Sequence, residues 1–121
     1  MKINRQRVYE RCNGHCGYCG KDIAIKDMQV DHMTPKWRLR DPIYFKATVD
    51  QIESYDNYMP TCRRCNHYKR EKDVEGFRVF MKTLHGRLEK DYKVKVAVDY
   101  RVVQIVPFDG IFYFEKYELE H

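Results

Sequence analysis

The sequence predicts a single small domain of the α+β class whose parts are held together by a metal. Three observations support this prediction. The chain has 121 residues, the length of one domain. In some segments apolar residues recur every three or four positions, as in helices, and in others they alternate with polar residues, as in strands. Its five cysteines include two C-x-x-C motifs, the usual framework of a zinc-binding turn.

The N-terminal half predicts one helix, a metal-binding turn and a strand. Residues 4 to about 12 have the pattern of a short helix with Asn4 as its N-cap. Residues 28–33 largely alternate apolar and polar side chains, which indicates a strand. Residues 36–56 show no sustained period, so we expect a long excursion with one helical turn near 48–54.

The C-terminal half predicts helices followed by a small sheet. Residues 57–60 can form a short second strand, and residues 63–72 form a basic helix. Apolar side chains recur every three or four positions over 74–88, which predicts a second helix with one buried face. Residues 94–106 and 111–117, joined by a Phe-Asp-Gly-Ile turn, predict the strands of a C-terminal antiparallel sheet.

Composition excludes several classes of protein. The net charge is +5. Aromatic residues make up 14% of the chain, a higher content than disordered segments have. No stretch approaches the roughly 20 apolar residues of a membrane-spanning helix. The first residues lack a secretory pattern, so we expect a cytoplasmic protein. The last three residues resemble the remnant of an expression tag, which leaves 1–118 as the predicted domain.

Four of the five cysteines are predicted to bind one structural zinc ion. The two C-x-x-C motifs are separated by 42 residues, and thiols stay reduced in the cytosol. A redox-active C-x-x-C is the alternative, but such motifs usually occur singly near a βαβ pattern, which this sequence lacks. Cys12 is expected to be a small buried side chain. The predicted zinc ligands are Cys16, Cys19, Cys62 and Cys65.

Residues capable of binding a metal or transferring a proton collect around the two cysteine motifs. Asp31 and His32 lie between the motifs, Asn57 precedes the second motif, and Asn66 directly follows it. This order of residues resembles the HNH endonuclease family, in a four-cysteine, phage-type form with asparagine at the third position. The resemblance covers roughly residues 5–72.

The resemblance implies a ββα-metal core, in which two short antiparallel strands and a helix hold one divalent cation. It implies that His32 is the general base, since an imidazole is mostly neutral near pH 7. Asn57 would orient that imidazole through a hydrogen bond. Asp31 and Asn66 would coordinate Mg²⁺ or Mn²⁺, which prefer oxygen ligands. The implied reaction is hydrolysis of DNA phosphodiester bonds, in the cytoplasm or in a host cytoplasm if the chain is phage-encoded.

The basic helix after the second cysteine motif is the predicted contact surface for double-stranded DNA. A cluster of positive charge beside a phosphodiester site supplies affinity that does not depend on base sequence. Basic residues with interleaved aromatics between Lys36 and Lys46 would extend this surface. The predicted DNA contacts are Arg63, Arg64, His67, Lys69 and Arg70.

Two other functions are compatible with parts of the sequence. A non-catalytic zinc-ribbon module would bind nucleic acid with the same basic helix, but would have no need for the group of Asp31, His32, Asn57 and Asn66. A redox or zinc-buffering protein would leave the basic helix unexplained. For a nuclease, a second cut or sequence specificity would require a homodimer or a partner protein.

Overall fold

The computed structural model describes residues 2–40 and 47–121. The expected contribution of Tyr44, Phe45 and Lys46 to the basic surface therefore lies outside the described residues. In the described ranges no helix is long and apolar enough to cross a membrane. The chain forms two compact units, one of residues Met1–Val74 and Phe112–His121 and the other of residues Glu75–Ile111.

The first unit is built on a two-stranded antiparallel sheet flanked by helices. The strands pair with Gln29 opposite Thr61 and His32 opposite Tyr58. The N-terminal helix packs against the second strand, and the helix after that strand packs against the first, which gives the two strands and one helix expected for the core. The elements are α1 Arg5–Glu10, β1 Gln29–His32, α2 Val49–Ile52, β2 Tyr58–Thr61 and α3 Arg63–Lys69, with 3₁₀ turns at Ile25–Asp27, Lys36–Arg40 and Tyr55–Asn57.

The start of α1 follows from its sequence. The side chain of Asn4 accepts a hydrogen bond from the backbone N–H of Arg7, so it is the predicted N-cap. Val8 on the next turn is buried with Met28 and Tyr58, and Ile3 packs against this cluster. The apolar contact anchors α1 to the sheet.

The second unit is helical. Helices α4 Val74–Lys82 and α5 Leu84–Glu89 occupy the predicted helix 74–88, with a break at Thr83, and α6 is Tyr92–Asp99. The predicted strand over 94–106 is therefore wrong, because its first half is helix α6. The side chain of Asp91 caps that helix by accepting from the N–H of Val94.

The valine alternation that predicted this strand has another explanation in the fold. Val94 lines an apolar pocket with Leu84 and Leu88 of α5. The described residues 75–111 contain no strand that could pair with 94–106, so the backbone groups of α6 are satisfied inside the helix. The preference of valine for strands is weak and yields to this packing.

The chain ends in a helix instead of the predicted strand over 111–117. Helix α7 spans Tyr113–Glu120, and the Glu115 side chain accepts from the N–H of Phe112 at its start. The N–H of Phe114 donates to Gly17 O at 2.7 Å, which ties this segment to the first cysteine motif. The N-terminal helix, the sheet, α3 and α7 thus form one unit, and the predicted C-terminal sheet does not exist in the described residues.

Candidate metal centre and adjoining pocket

The two cysteine motifs come together in a cluster suited to zinc. The Sγ atoms of the four cysteines all lie within 4.8 Å of one another, and those of Cys19 and Cys62 are 3.9 Å apart. Tetrahedral Zn–S bonds of about 2.3 Å place sulfurs roughly 3.8 Å from each other, so the donor set and spacing fit the ion. The cluster ligands are Cys16, Cys19, Cys62 and Cys65.

The protonation of the cluster also favours a cation. Hydrogen bonds from Cys19 and Cys65 lower the pKa of Cys16, so one thiolate forms readily. The hydrogen bond between Cys19 and Cys16 raises the pKa of Cys19 to about 11. Hydrogen bonds with Cys16 and Cys19 likewise raise the pKa of Cys65. One negative sulfur therefore suppresses ionisation of its neighbours, a repulsion that a bound zinc ion relieves.

A close approach of backbone to side chain shapes the first cysteine motif. A Cβ atom at Gly17 would collide with Met59 Sδ, so a larger residue there would displace the Met59 side chain. Cys12 lies nearby, fully buried, with its Sγ 4.0 Å from the same Met59 sulfur. Burial raises the pKa of Cys12 to about 11, consistent with a small buried side chain outside the metal cluster.

Asp31 is the centre of a buried polar network. It is 5% exposed, and the hydroxyl of Tyr18 donates to its Oδ2 at 2.6 Å. The ammonium of Lys69 lies 3.1 Å from both carboxylate oxygens and also donates to the carbonyl of His32 at 3.2 Å. Burial raises the pKa of Asp31 and lowers that of Lys69, and their mutual attraction opposes both shifts.

The prediction that Lys69 contacts DNA is wrong. Its side chain is 0% exposed, because its ammonium group pairs with the buried carboxylate of Asp31. Arg63, Arg64, His67 and Arg70 on the same segment are exposed, as a nucleic-acid contact requires. Charge counting along the helix could not separate the one buried cation from the exposed ones.

His32 is paired with an acidic residue that the sequence reasoning missed. Its Nε2 lies 3.2 Å from Glu53 Oε1, and Tyr58 donates to the other carboxylate oxygen at 2.7 Å. Burial alone would raise the pKa of Glu53, but the Tyr58 hydrogen bond and the electrostatic interactions with His32 and Lys36 lower it. Glu53 directly follows α2, in a segment whose several acidic residues carry no distinguishing pattern.

Asn57 supports His32 through the backbone and not through the expected hydrogen bond to the imidazole. Its Oδ1 accepts from the N–H of Thr34 at 2.7 Å, and its Nδ2 donates to Thr34 O at 3.0 Å and to Ile52 O at 2.9 Å. These bonds connect the turn after β1 with the end of α2. They hold together the two segments that carry His32 and Glu53.

His32, Asp31 and Asn66 line one pocket of about 430 Å³ between β1 and α3. The Nδ2 of Asn66 donates to Gln29 Oε1 at 2.6 Å, which leaves its Oδ1 outside that hydrogen bond. A carboxylate has about four lone-pair sites, so the contacts from Tyr18 and Lys69 leave Asp31 capacity for another ligand.

The first unit thus combines a ββα core, a four-cysteine cluster suited to a metal ion, and a polar pocket beside the helix. Residues 16–72, just under half of the chain, match the model of the HNH endonuclease family. No curated protein and no solved structure shows significant similarity to the chain. The matched range contains the four cysteines and every predicted site residue, and the family implies a nucleic-acid substrate.

Proposed function

We propose that this protein is a metal-dependent endonuclease that hydrolyses phosphodiester bonds in DNA, with His32 as the general base. The observation that carries the proposal is that His32, Asp31 and Asn66 line the same pocket, within the range that matches the HNH endonuclease family. A zinc module that only binds nucleic acid gains nothing from this grouping.

The contact with Glu53 supports one arrangement of the protons on His32. When Nε2–H donates to Glu53, the neutral ring keeps its lone pair on Nδ1. That nitrogen takes the proton from the attacking water. Glu53 then stabilises the imidazolium, and the Tyr58 hydroxyl holds the Glu53 carboxylate in place.

Asp31 and Asn66 would hold a Mg²⁺ or Mn²⁺ ion through their side-chain oxygens. When bound, this ion supplies Lewis-acid stabilisation of the charge that develops on the phosphate and the leaving oxygen. Lys69 and Tyr18 orient the Asp31 carboxylate from the opposite, buried side. The exposed side chains of Arg63, Arg64 and Arg70 contribute positive charge near the phosphate backbone.

The alternative of a non-catalytic zinc-ribbon module is favoured by one observation. Lys69 already neutralises Asp31, so the carboxylate has a cationic partner without any divalent metal. In that case the basic helix would bind nucleic acid and the pocket would perform no chemistry.

Cleavage of supercoiled plasmid by zinc-loaded protein, with added Mg²⁺ or Mn²⁺, separates the two functions. His32→Ala and, as a matched control at an exposed histidine, His121→Ala are prepared identically. Nicking that disappears only in His32→Ala supports the nuclease and its base. Equal nicking by all three proteins contradicts the assignment of His32, and salt-sensitive DNA binding without nicking by any of them favours the zinc-ribbon module.

A further inference from the structure

We propose that a groove beside the zinc cluster binds the DNA backbone next to the cleavage pocket, with Lys21 and Lys26 as phosphate contacts. The proposal rests on the proposed function for its substrate class. It adds a surface on the loop after the first cysteine motif, far in sequence from the basic helix.

The groove has a volume of about 1120 Å³ and lies between residues 21–29 and the first turn of α3. Two aspartates, Asp22 and Asp27, also line it, so the surface has a net positive charge without being uniformly basic. Its basic lining residues are Arg5, Lys21, Lys26, Arg63 and Arg64.

The loop that presents the lysines is held in shape. The Arg5 guanidinium donates to Ile25 O at 2.8 Å and to Met28 O at 2.7 Å, across the 3₁₀ turn that contains Lys26. The N–H of Cys16 donates to Lys21 O at 2.9 Å, which fixes the loop to the cysteine motif. Lys21 and Lys26 themselves are exposed, and such a preformed surface loses little conformational entropy on binding.

One face of α3 connects this groove to the cleavage pocket. Arg63 and His67 line the groove, whereas Asn66 and Arg70 line the pocket with His32. These positions have the spacing i, i+3, i+4 and i+7, which places them on one side of a helix. The groove and the pocket therefore adjoin along this helix, at the neighbouring residues His67 and Asn66.

The basic residues could instead balance the negative charge of the zinc cluster. Four thiolates around Zn²⁺ have a net charge of −2, and Cys62 lines the groove. On that explanation the lysines would act on zinc affinity and not on DNA. Measuring bound zinc together with DNA affinity therefore distinguishes the two roles.

The test is binding of zinc-loaded protein to a duplex of about 30 base pairs without divalent cation, between about 50 and 200 mM salt. The variant is Lys21→Gln/Lys26→Gln, and the matched control is Lys93→Gln/Lys95→Gln, which removes the same charge from α6. We expect the first pair to weaken binding about tenfold and to reduce the salt slope by about two, with zinc content unchanged.

Equal losses in the two double variants would overturn the proposal, because only net charge would then matter. Loss of zinc along with DNA affinity in the Lys21/Lys26 variant would also overturn it in favour of charge balance at the cluster. The assay requires no cleavage. A selective loss of binding would therefore support the groove even if the plasmid assay refuted the nuclease.

Discussion

Replacement of Lys69 by methionine is the strongest test of the buried network. The substitution keeps most of the side-chain volume but leaves the carboxylate of Asp31 without its cation, at a position that is 5% exposed. Breaking a buried ion pair in this way costs about 3–5 kcal/mol. Since small domains are stable by only about 5–15 kcal/mol, Lys69→Met is expected to lose a large part of the total.

Urea unfolding of the zinc-saturated protein measures this loss. The single tryptophan, Trp37, donates to Glu71 O at 2.7 Å close to the C-terminal end of α3, so its fluorescence reports on the relevant unit. An exposed basic residue on the same helix provides the control, and Arg64→Met is expected to change stability by less than about 0.5 kcal/mol.

A double variant protects the test against simple failure to fold. Asp31→Asn/Lys69→Met removes both charges, while the amide oxygen can still accept from Tyr18. We expect it to be more stable than Lys69→Met alone, because no uncompensated charge remains buried. A Lys69→Met protein within about 1 kcal/mol of the wild type would refute the role that we assign to the pair.

Three further outcomes are expected. Cys62→Ser should lose zinc and helical circular dichroism together, because metal binding contributes directly to folding; zinc content and spectra measured on the same sample check this. Cys12 should remain unmodified by a thiol reagent at pH 8 in zinc-loaded protein, since burial raises its pKa to about 11 and the protonated thiol is a poor nucleophile; mass spectrometry would expose modification. Glu53→Ala should lower the nicking rate by about 100-fold without weakening DNA binding, because His32 loses its orienting partner; comparable losses in both assays would contradict this.

The sequence predicted those elements for which the local pattern of residues and the tertiary contacts favour the same structure. Strand β1 combines alternation with a defined end before Thr34-Pro35, and α3 begins where Cys62 caps the helix by accepting from the N–H of Cys65. The spacing of the cysteines indicated that distant segments meet. Local patterns sufficed there because a metal cluster fixes the long-range contact.

Other features depend on contacts that no local pattern records. The valines of α6 have strand preference, but their surroundings are helical. Lys69 and Arg70 are neighbours in one basic run, but Lys69 is buried and Arg70 is exposed. Glu53 is brought to His32 by the folding of the long segment between the strands, which also contains the acidic residues Asp50 and Asp56. These outcomes were decided by tertiary packing.

The return of the chain to the first cysteine motif has a consequence for biosynthesis. Phe112 and Phe114 pack edge-on against Tyr18, with ring centroids 5.0 and 6.1 Å away. In the sequence, the 37 residues of the second unit lie between these phenylalanines and the rest of the first unit. At roughly 5–20 residues per second, a ribosome completes this segment about 2–8 s after residue 74. All four zinc ligands emerge earlier. The four cysteines can therefore come together around a metal before Phe112 and Phe114 reach Tyr18.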